Sequence, residues 1–179
     1  MKKKRTAASV AFLYMTTLAG IILLPFAIVK RSFKDWLIVY LVGVLGNSLA
    51  DRYLVSKGYL RYNIRPYKDT FKIHLPFDYI HYPLMLLYYN QWTLNSKPAG
   101  LFFKLFPFLI PQVLLETFAE RKTKLISWRK GWTWYHSLIS LVIKLLLCRG
   151  IIALIRIIND ESISVKKTPF NEDPLQDGQ

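Results

Sequence analysis

Two pairs of ionisable residues lie within apolar stretches of this chain, at spacings that place each pair on one face of a helix. Asp78 and His81 are three residues apart, and a carboxylate beside an imidazole can relay protons or bind a cation. Glu116 and Glu120 are four residues apart, which suits a cation site or an acid/base pair. If these stretches cross a bilayer, a charge costs about 2.5–3.5 kcal/mol at the helix centre, so both pairs are candidate functional sites.

Both pairs also have a structural interpretation. Asp78 would then lie near the membrane surface and anchor its helix together with His81 and the neighbouring tyrosines and prolines. Glu120 would lie at a helix end, where Arg121 and Lys122 pair with it in water. On this interpretation neither pair binds or moves an ion.

Two lysines interrupt later apolar stretches. Lys104 and Lys144 either extend their ammonium groups toward water or pair with Glu116 or Asp78 across a helix bundle. Pairing would neutralise charges that lipid cannot solvate, which is first of all a structural role.

A group of aromatic residues marks the beginning of the last apolar stretch. Trp128, Trp132 and His136 recur every four residues, with Trp134 between them. Tryptophans at a helix entrance are typical of the aromatic belt at a membrane interface. His136 and Ser137 are adjacent, and adjacent residues on a helix do not face each other, so they are poorly placed to act as base and nucleophile.

No sequence motif adds a reaction to these residues. Cys148 is the single cysteine, the three histidines are far apart, and the chain contains no Gly-x-Ser-x-Gly, glycine-rich phosphate loop or His-Glu-x-x-His. We therefore predict no catalytic residue, no cofactor and no metal site, and we expect that the protein is not an enzyme.

The elements that must position these residues are long apolar runs separated by basic clusters. The chain has 179 residues, of which 53% are hydrophobic, and a net charge of +14. Because about 20 apolar residues cross a bilayer core, this pattern predicts an all-α, polytopic transmembrane helix bundle with about five spanning helices. We expect a transmembrane domain over residues 1–158, with spans at 7–29, 36–54, 75–92, 99–118 and 132–158, and a polar, disordered tail at 159–179.

Three of these spans leave an alternative open. The first has the basic head of a cleaved signal peptide, although its 23 uncharged residues and the lack of an Ala-x-Ala site favour an uncleaved helix, which Pro25 would kink. The third is the least apolar, and the count of five depends on it. The fifth ends either near Arg149 or near Ile158. In the second span, Asn47 and Asp51 share a face.

The distribution of Lys and Arg predicts the orientation. With the N-terminus in the cytoplasm, the inner segments carry 15 of these residues and the outer segments carry 6, so we expect a multi-pass cell-membrane protein with an extracytoplasmic C-terminus. A basic chain can also bind nucleic acid, but no nucleic-acid motif accompanies the basic clusters. The expected partners are the lipid bilayer and other membrane proteins or a second copy, with no nucleic acid.

Several motifs resemble one family. Two blocks carry the likeness: Lys34-Asp35-Trp36, Gly58 to Tyr62, Arg65-Pro66 and Pro76 to Tyr79 first, then Glu116 to Glu120, Thr123 to Ile126, Trp128 and Lys130 to Ser137. From about Ser32 to Arg156 the chain resembles an uncharacterised family of small multi-pass membrane proteins of endospore-forming Firmicutes such as Bacillus and Clostridium. The resemblance implies a membrane protein of a spore former. It implies no activity, but it draws attention to Glu116, Trp132, Trp134 and His136 as a shared site.

Three functions compete on this basis. The sequence favours a non-enzymatic component of a bacterial membrane that acts through other proteins. A small ion- or proton-coupled transporter or channel that uses Asp78, His81 and Glu116 is the alternative, and a membrane-embedded enzyme acting on lipid, with Glu116 or His136 as the base, is a third.

Overall fold

Most of the chain is helical. The computed structural model describes residues 2–29, 33–64, 74–123 and 125–167, and 82% of these residues are in helices. In chain order the elements are α1 (Lys2–Ile28), α2 (Phe33–Lys57), β1 (Leu60–Tyr62), a π-helical turn (Phe77–His81), α3 (Tyr82–Thr93), α4 (Pro98–Phe103), α5 (Phe106–Lys122), β2 (Ile126–Trp128) and α6 (Trp134–Lys167).

Four helical segments are long and apolar enough to cross a membrane. They are Ser9–Ile28, Phe33–Lys57, Pro98–Lys122 and Trp134–Asn159, which confirms four of the predicted apolar runs as helices of spanning length. Between 17% and 28% of each segment is buried inside the protein, so most of the apolar side chains face outward. A chain surrounded by water rarely exposes so much contiguous apolar surface.

The third predicted span forms the middle of the bundle. Its helical part is the π-turn followed by α3, which packs against α1, α2 and α6. The residues of α3 that these contacts bury include Leu86, Leu87, Tyr89 and Asn90. Its low hydropathy follows from this position, because a helix enclosed by other helices has little contact with the surroundings.

The π-turn and α3 together run from one end of the bundle to the other. Asp78 lies beside Asp51 of α2 at the beginning, and the Gln91 side-chain amide donates a 2.6 Å hydrogen bond to the Ala27 carbonyl at the end of α1. The Arg149 guanidinium of α6 donates a 3.0 Å hydrogen bond to the carbonyl of Leu94, just after α3 ends. The third segment therefore contacts residues near both ends of the bundle, although it is shorter than the four segments of spanning length.

Prolines explain how this segment begins. Pro83 has no N–H to donate to the Tyr79 carbonyl, and the chain forms a π-turn there, with the Tyr82 N–H bonded to the Phe77 carbonyl. The hydroxyl of Tyr40 on α2 donates to the Tyr79 carbonyl at 3.2 Å. A neighbouring helix thus supplies the donor that proline lacks, as is common for proline within helix bundles in membranes.

Two predicted boundaries differ from the structure. The fourth segment was expected as one helix over 99–118, but it is divided into α4 and α5 around Lys104 and Leu105. Pro107, in the first turn of α5, cannot continue the hydrogen bonds of α4. The last helix extends past Ile158 to Lys167, because no glycine or proline interrupts it before Pro169. The rest of the predicted tail, residues 168–179, lies outside the described residues.

A short antiparallel sheet covers one end of the bundle, and the all-α prediction missed it. β1 pairs with β2, with Leu60 opposite Trp128 and Tyr62 opposite Ile126. Leu60 and Tyr62 point inward while Arg61 is exposed. This sheet joins two basic segments that are far apart in sequence, and residues 65–73 of the first segment lie outside the described residues.

The turn between α2 and β1 depends on a glycine. Gly58 has a φ of +79°, its N–H bonds to the Val55 carbonyl, and the Tyr59 N–H bonds to the Leu54 carbonyl. This pair of hydrogen bonds is the Schellman motif, which ends a helix with a residue in the left-handed conformation. It directs β1 back across the end of the bundle.

Candidate functional site

Polar side chains from several elements meet in a small cavity beneath the β1–β2 sheet. Its volume is about 40 Å³, enough for two or three water molecules at roughly 10–15 Å³ each. Its polar lining comprises Asp51 of α2, Tyr62 of β1, Asp78 of the π-turn, Tyr82 of α3, Glu116 of α5, and Trp132, Ser137, Ser140 and Lys144 around the beginning of α6.

Asp51 is the residue with the most polar neighbours in this cavity. The Tyr62 hydroxyl donates a 2.8 Å hydrogen bond to its Oδ1, and the backbone N–H of His74 also donates to it. The Asp78 carboxyl group lies near Asp51 and interacts with it electrostatically. Two bare carboxylates repel each other, so a proton or a cation between them would be stabilising.

Tyr62 acts as a donor to Asp51 throughout the physiological pH range. Burial, and then the nearby Asp51 carboxylate, raise the pKa of the Tyr62 hydroxyl well above its usual value. The hydroxyl therefore keeps its proton and can donate it to Asp51. Tyr62 is 7% exposed, so water does not compete for this hydrogen bond.

Glu116 approaches the cavity from α5 and is held by two donors. The Tyr82 hydroxyl donates to its Oε1, and the Gln112 side-chain amide, one turn earlier on the same helix, donates to the same oxygen at 3.3 Å. Tyr82 thereby links the carboxylate of α5 to the segment that carries Asp78.

Lys144 provides the positive charge of the cavity. Its ammonium group lies over the ring of Tyr82, 4.7 Å from the centroid, and it attracts Glu116, Asp51 and Asp78. Within the described part of the chain Lys144 makes no direct ion pair with any of them. The structure thus places Lys144 near the carboxyl groups without the direct pairing with Asp78 or Glu116 that was one of its two expected roles.

His74 forms the wall behind the two aspartates. It is fully buried, and its ring lies 5.2 Å from the ring of Tyr62 and 4.6 Å from that of Phe77. Its carbonyl accepts the backbone N–H of Asp78 at 3.2 Å. These contacts fix the backbone on which Asp78 enters the cavity.

Three of the predicted site residues reach the cavity. Asp78, which is 2% exposed, and Glu116 lie there as described. Trp132 also lines it, and its indole N–H donates a 3.0 Å hydrogen bond to the Ser137 hydroxyl. Trp132 was predicted as part of an aromatic belt and of a shared site, and it closes one side of this cavity.

The other predicted site residues lie outside the cavity lining. His81 turns its Nδ1 to within 2.8 Å of the Pro76 carbonyl, because the π-turn changes the angular spacing and removes the expected common face with Asp78. Glu120 lies one turn beyond Glu116. Trp134 is 51% exposed and packs edge-on against Tyr135.

His136 has a local structural role. Its Nδ1 accepts the backbone N–H of Thr133 at 3.2 Å, and its ring stacks on Trp132 with the centroids 5.3 Å apart. Lys104 is also elsewhere, at the opposite end of the bundle, where it donates to the Trp92 carbonyl and the Ser96 hydroxyl.

Asp51, Tyr62 and Tyr82 were not among the site residues predicted from the sequence. A signal existed for Asp51, which shares a helical face with Asn47 near the end of an apolar run. The two tyrosines had no such signal, since tyrosines at membrane interfaces are common. Only their hydroxyl contacts with Asp51 and Glu116 distinguish them.

The arrangement is suited to exchanging protons. Two separate hydrogen bonds, from Tyr62 to Asp51 and from Tyr82 to Glu116, line the cavity together with Asp78, and the cavity has room for water between these groups. Among the described residues there is no group of three or more His, Cys, Asp or Glu side chains that could hold a metal ion.

The resemblance to the spore-former family stays a prediction. Comparisons of this chain with family models, with curated proteins and with solved structures find no match.

Proposed function

We propose that this chain is an integral membrane protein that binds and releases protons or monovalent cations at the cavity, as a small ion- or proton-coupled transporter. The observation that carries the proposal is the imbalance of charge in the cavity. Among the residues that the structure describes, the cavity lining has three carboxyl groups, those of Asp51, Asp78 and Glu116, and one ammonium group, that of Lys144.

Protons or a cation bound among the carboxyl groups would relieve this imbalance. An uncompensated carboxylate in a low-dielectric environment is very costly, so a buried excess of carboxyl groups takes up protons or a cation. Purely structural clusters tend toward balanced pairs, such as the contact between Arg156 and Asp35 at the other end of the bundle, where the Nη2–Oδ2 distance is 2.5 Å. The cavity thus differs from the structural ion pair in the same chain.

Polar residues along α3 extend from the cavity toward the opposite end of the bundle. The spacing between these residues is a multiple of four for Asp78, Tyr82 and Asn90. Thr93 follows Asn90 by about one turn, and its carbonyl lies near the Arg149 guanidinium. Asn90 and Thr93 are fully buried, and Leu86 interrupts the series between Tyr82 and Asn90. A series of buried polar groups interrupted at one apolar residue is what a gated ion path requires.

The proposal includes five membrane crossings with the N-terminus in the cytoplasm. The π-turn and α3 pack against α1, α2 and α6 and contact residues near both ends of the bundle, which supports the fifth crossing. The basic residues favour the cytoplasm for the end covered by β1 and β2. On this topology the cavity opens toward the cytoplasmic side, and an ion leaves through the C-terminal end of α3.

The alternative is the function that the sequence favoured, a non-enzymatic membrane component that acts through partner proteins. On that reading the carboxyl groups would only stabilise the bundle. The cavity has room for water, and hydrogen-bonded titratable groups line it. This arrangement favours the transport function. These groups do not by themselves supply a nucleophile for an enzyme acting on lipid.

Reconstitution into liposomes tests the proposal. Purified protein in liposomes with an internal pH indicator should dissipate an imposed proton gradient, or a sodium or potassium gradient followed with the matching indicator, faster than protein-free liposomes. Asp78→Asn and Asp51→Asn should each reduce the flux at least tenfold. Glu120→Gln, a carboxylate on the same helix as Glu116 but outside the cavity lining, should retain the wild-type flux.

Two results would contradict the proposal. One is a wild-type flux equal to that of protein-free liposomes for all three ions. The other is an unchanged flux in Asp51→Asn and Asp78→Asn when both variants are folded, as judged by a monodisperse size-exclusion profile. Either result would favour the structural interpretation of the cluster.

A further inference from the structure

A second, larger concavity lies on the outer surface of the bundle, between α2 and α6. Its volume is about 540 Å³ and its walls are almost entirely apolar. Gly43, Gly46 and Ala50 form the α2 side, and Ile143 and Leu147 belong to the α6 side. We call it the α2–α6 groove. Asn47 and Lys144 lie at its inner wall, where the groove borders the polar cavity.

The groove is long enough to cover one leaflet of a bilayer. On α6 its lining extends from His136 to Ile151, about 22 Å at 1.5 Å per residue. Half of a hydrocarbon core of about 30 Å is about 15 Å. An acyl chain that enters at the sheet-covered end therefore remains inside the groove over its whole leaflet.

The mouth of the groove carries two positive charges. Lys57 lies seven residues after Ala50, on the same helical stripe as the groove wall. The ammonium group of Lys130 donates a 2.6 Å hydrogen bond to the backbone carbonyl of Lys57, which places it at the C-terminal end of α2, and the Lys57 ammonium group lies 5.9 Å from the centroid of the Tyr53 ring on the same helix. Trp132 follows Lys130 and lines the groove. Both lysines are exposed and therefore available to a phosphate group.

A hydrogen-bond donor lies one turn below this mouth. His136 lines the groove, and its Nδ1 accepts the Thr133 N–H, so the proton of the neutral ring is on Nε2. The ester carbonyls of a phospholipid lie just below its phosphate group. From the mouth inward, the groove thus presents a cation, a hydrogen-bond donor and an apolar wall. A phospholipid has its phosphate, ester carbonyl and acyl chain in the same order.

From this order we infer that the α2–α6 groove binds one acyl chain of an anionic glycerophospholipid, with its phosphate at Lys57 and Lys130 and an ester carbonyl at His136. The inference goes beyond the proposed transport function, because lipid binding in this groove does not require the cavity to move ions.

Photolabelling tests the inference. The protein is reconstituted in neutral liposomes that contain a small fraction of a phosphatidylglycerol with a diazirine at the end of one acyl chain, and the labelled residues are mapped by mass spectrometry. Labelling should concentrate on residues 43–50 and 143–151 and should decrease when unlabelled phosphatidylglycerol is added. Unlabelled phosphatidylcholine should compete at least tenfold less well.

Two pairs of variants provide matched controls. A Cβ at Gly46 or at Gly150 meets no atom within 4 Å, so leucine fits at both positions, but only Gly46 lines the groove. Gly46→Leu should reduce groove labelling at least fivefold and Gly150→Leu should not. Lys57→Gln with Lys130→Gln should abolish the preference for phosphatidylglycerol, while Lys34→Gln with Lys97→Gln, which changes net charge equally, should preserve it.

The contrary results are equally specific. Labelling that spreads evenly over outward-facing residues such as Leu45 and Leu114, or that Gly46→Leu leaves unchanged, would overturn the inference. So would a cross-link between two copies through residues 43–50 that Gly46→Leu removes, since a second chain would then occupy the groove. Asp78→Asn should leave the labelling intact, so that loss of ion flux and loss of lipid binding are measured independently.

Discussion

The hydroxyl of Tyr62 donates a hydrogen bond of 2.8 Å to the carboxylate of Asp51, and this contact joins the β1–β2 sheet to the second helix. The two residues are separated by the end of α2 and a glycine turn, and both are almost fully buried. The sheet is therefore fastened over the cavity by a side chain that also satisfies one of its carboxyl groups. Removing the Tyr62 hydroxyl would weaken the attachment of the β1–β2 sheet and would leave the Asp51 carboxylate without this donor.

Tyr62→Phe should destabilise the protein by about 1–3 kcal/mol, because a buried acceptor loses its donor. Thermal unfolding of the purified protein in detergent measures the change. Tyr53→Phe is the control, since Tyr53 is 59% exposed and lies on the outer face of the same region. Equal stability of the two variants would mean that the Tyr62 hydroxyl does not help to hold the β1–β2 sheet over the cavity.

Lys144 and Asp78 should show opposite effects on stability. Lys144→Met leaves three carboxyl groups without their positive neighbour and should destabilise the protein by about 1–3 kcal/mol. Asp78→Asn relieves a repulsion with Asp51 and should be neutral or stabilising. The double variant should recover part of the loss, as measured by denaturant unfolding in micelles. Additive effects of the two substitutions would exclude an electrostatic coupling between them.

The two glycines of α2 should respond differently to alanine. A Cβ at Gly43 would lie 2.8 Å from Leu86 Cδ1 and 3.5 Å from Pro83 Cα, so alanine must displace the buried Leu86 side chain. Gly43→Ala should cost about 1–3 kcal/mol by overpacking. Gly46→Ala meets no neighbouring atom and should be neutral or stabilise by up to about 1 kcal/mol. Thermal unfolding of the two variants side by side tests how closely α2 and α3 approach.

The ion pair between Asp35 and Arg156 should be weak. Arg156 is 35% exposed and Asp35 is 23% exposed, so water and salt screen the attraction. A double-mutant cycle with Asp35→Asn and Arg156→Gln should give a coupling of about 1 kcal/mol or less that decreases at high salt. A coupling of several kcal/mol that is insensitive to salt would indicate that lipid, and not water, surrounds this end of α6.

Fusion of a reporter after Gln179 tests the five crossings. Alkaline phosphatase, which is active only outside the cytoplasm, should be active there, and a fluorescent protein that folds only in the cytoplasm should be dark. The same pair of reporters inserted between α3 and α4, at Asn95, should also report the outer side. A cytoplasmic signal after Gln179 would require an even number of crossings.

The apolar helices could be predicted from sequence because their signal is local. A run such as residues 7–29 needs no information from the rest of the chain, since length and the absence of charge decide the matter. The third segment could not be judged in this way. Its polar residues face α2, α5 and α6. Its low hydropathy therefore reflects contact with these helices and does not indicate whether the segment crosses the membrane.

The site was predictable only in part for a similar reason. Asp78 and Glu116 are conspicuous as isolated charges in apolar runs, and Lys144 was recognised as their possible counter-charge. The pairing of Asp78 with His81 failed because a helical face was assumed where prolines produce a π-turn. Tyr62 became visible only through β1, whose three residues are too few to give a periodic signal.

The enclosed position of α3 has a consequence for how the chain enters a bilayer. An apolar helix such as α1 gains enough from lipid to partition by itself, whereas α3 would bring Asp78 and Asn90 into hydrocarbon without partners. We therefore expect α3 to be retained at the insertion machinery, or to enter as a hairpin with α2, until the last helix has been synthesised. Although it is third in the order of synthesis, it would then be the last helix to reach its final environment.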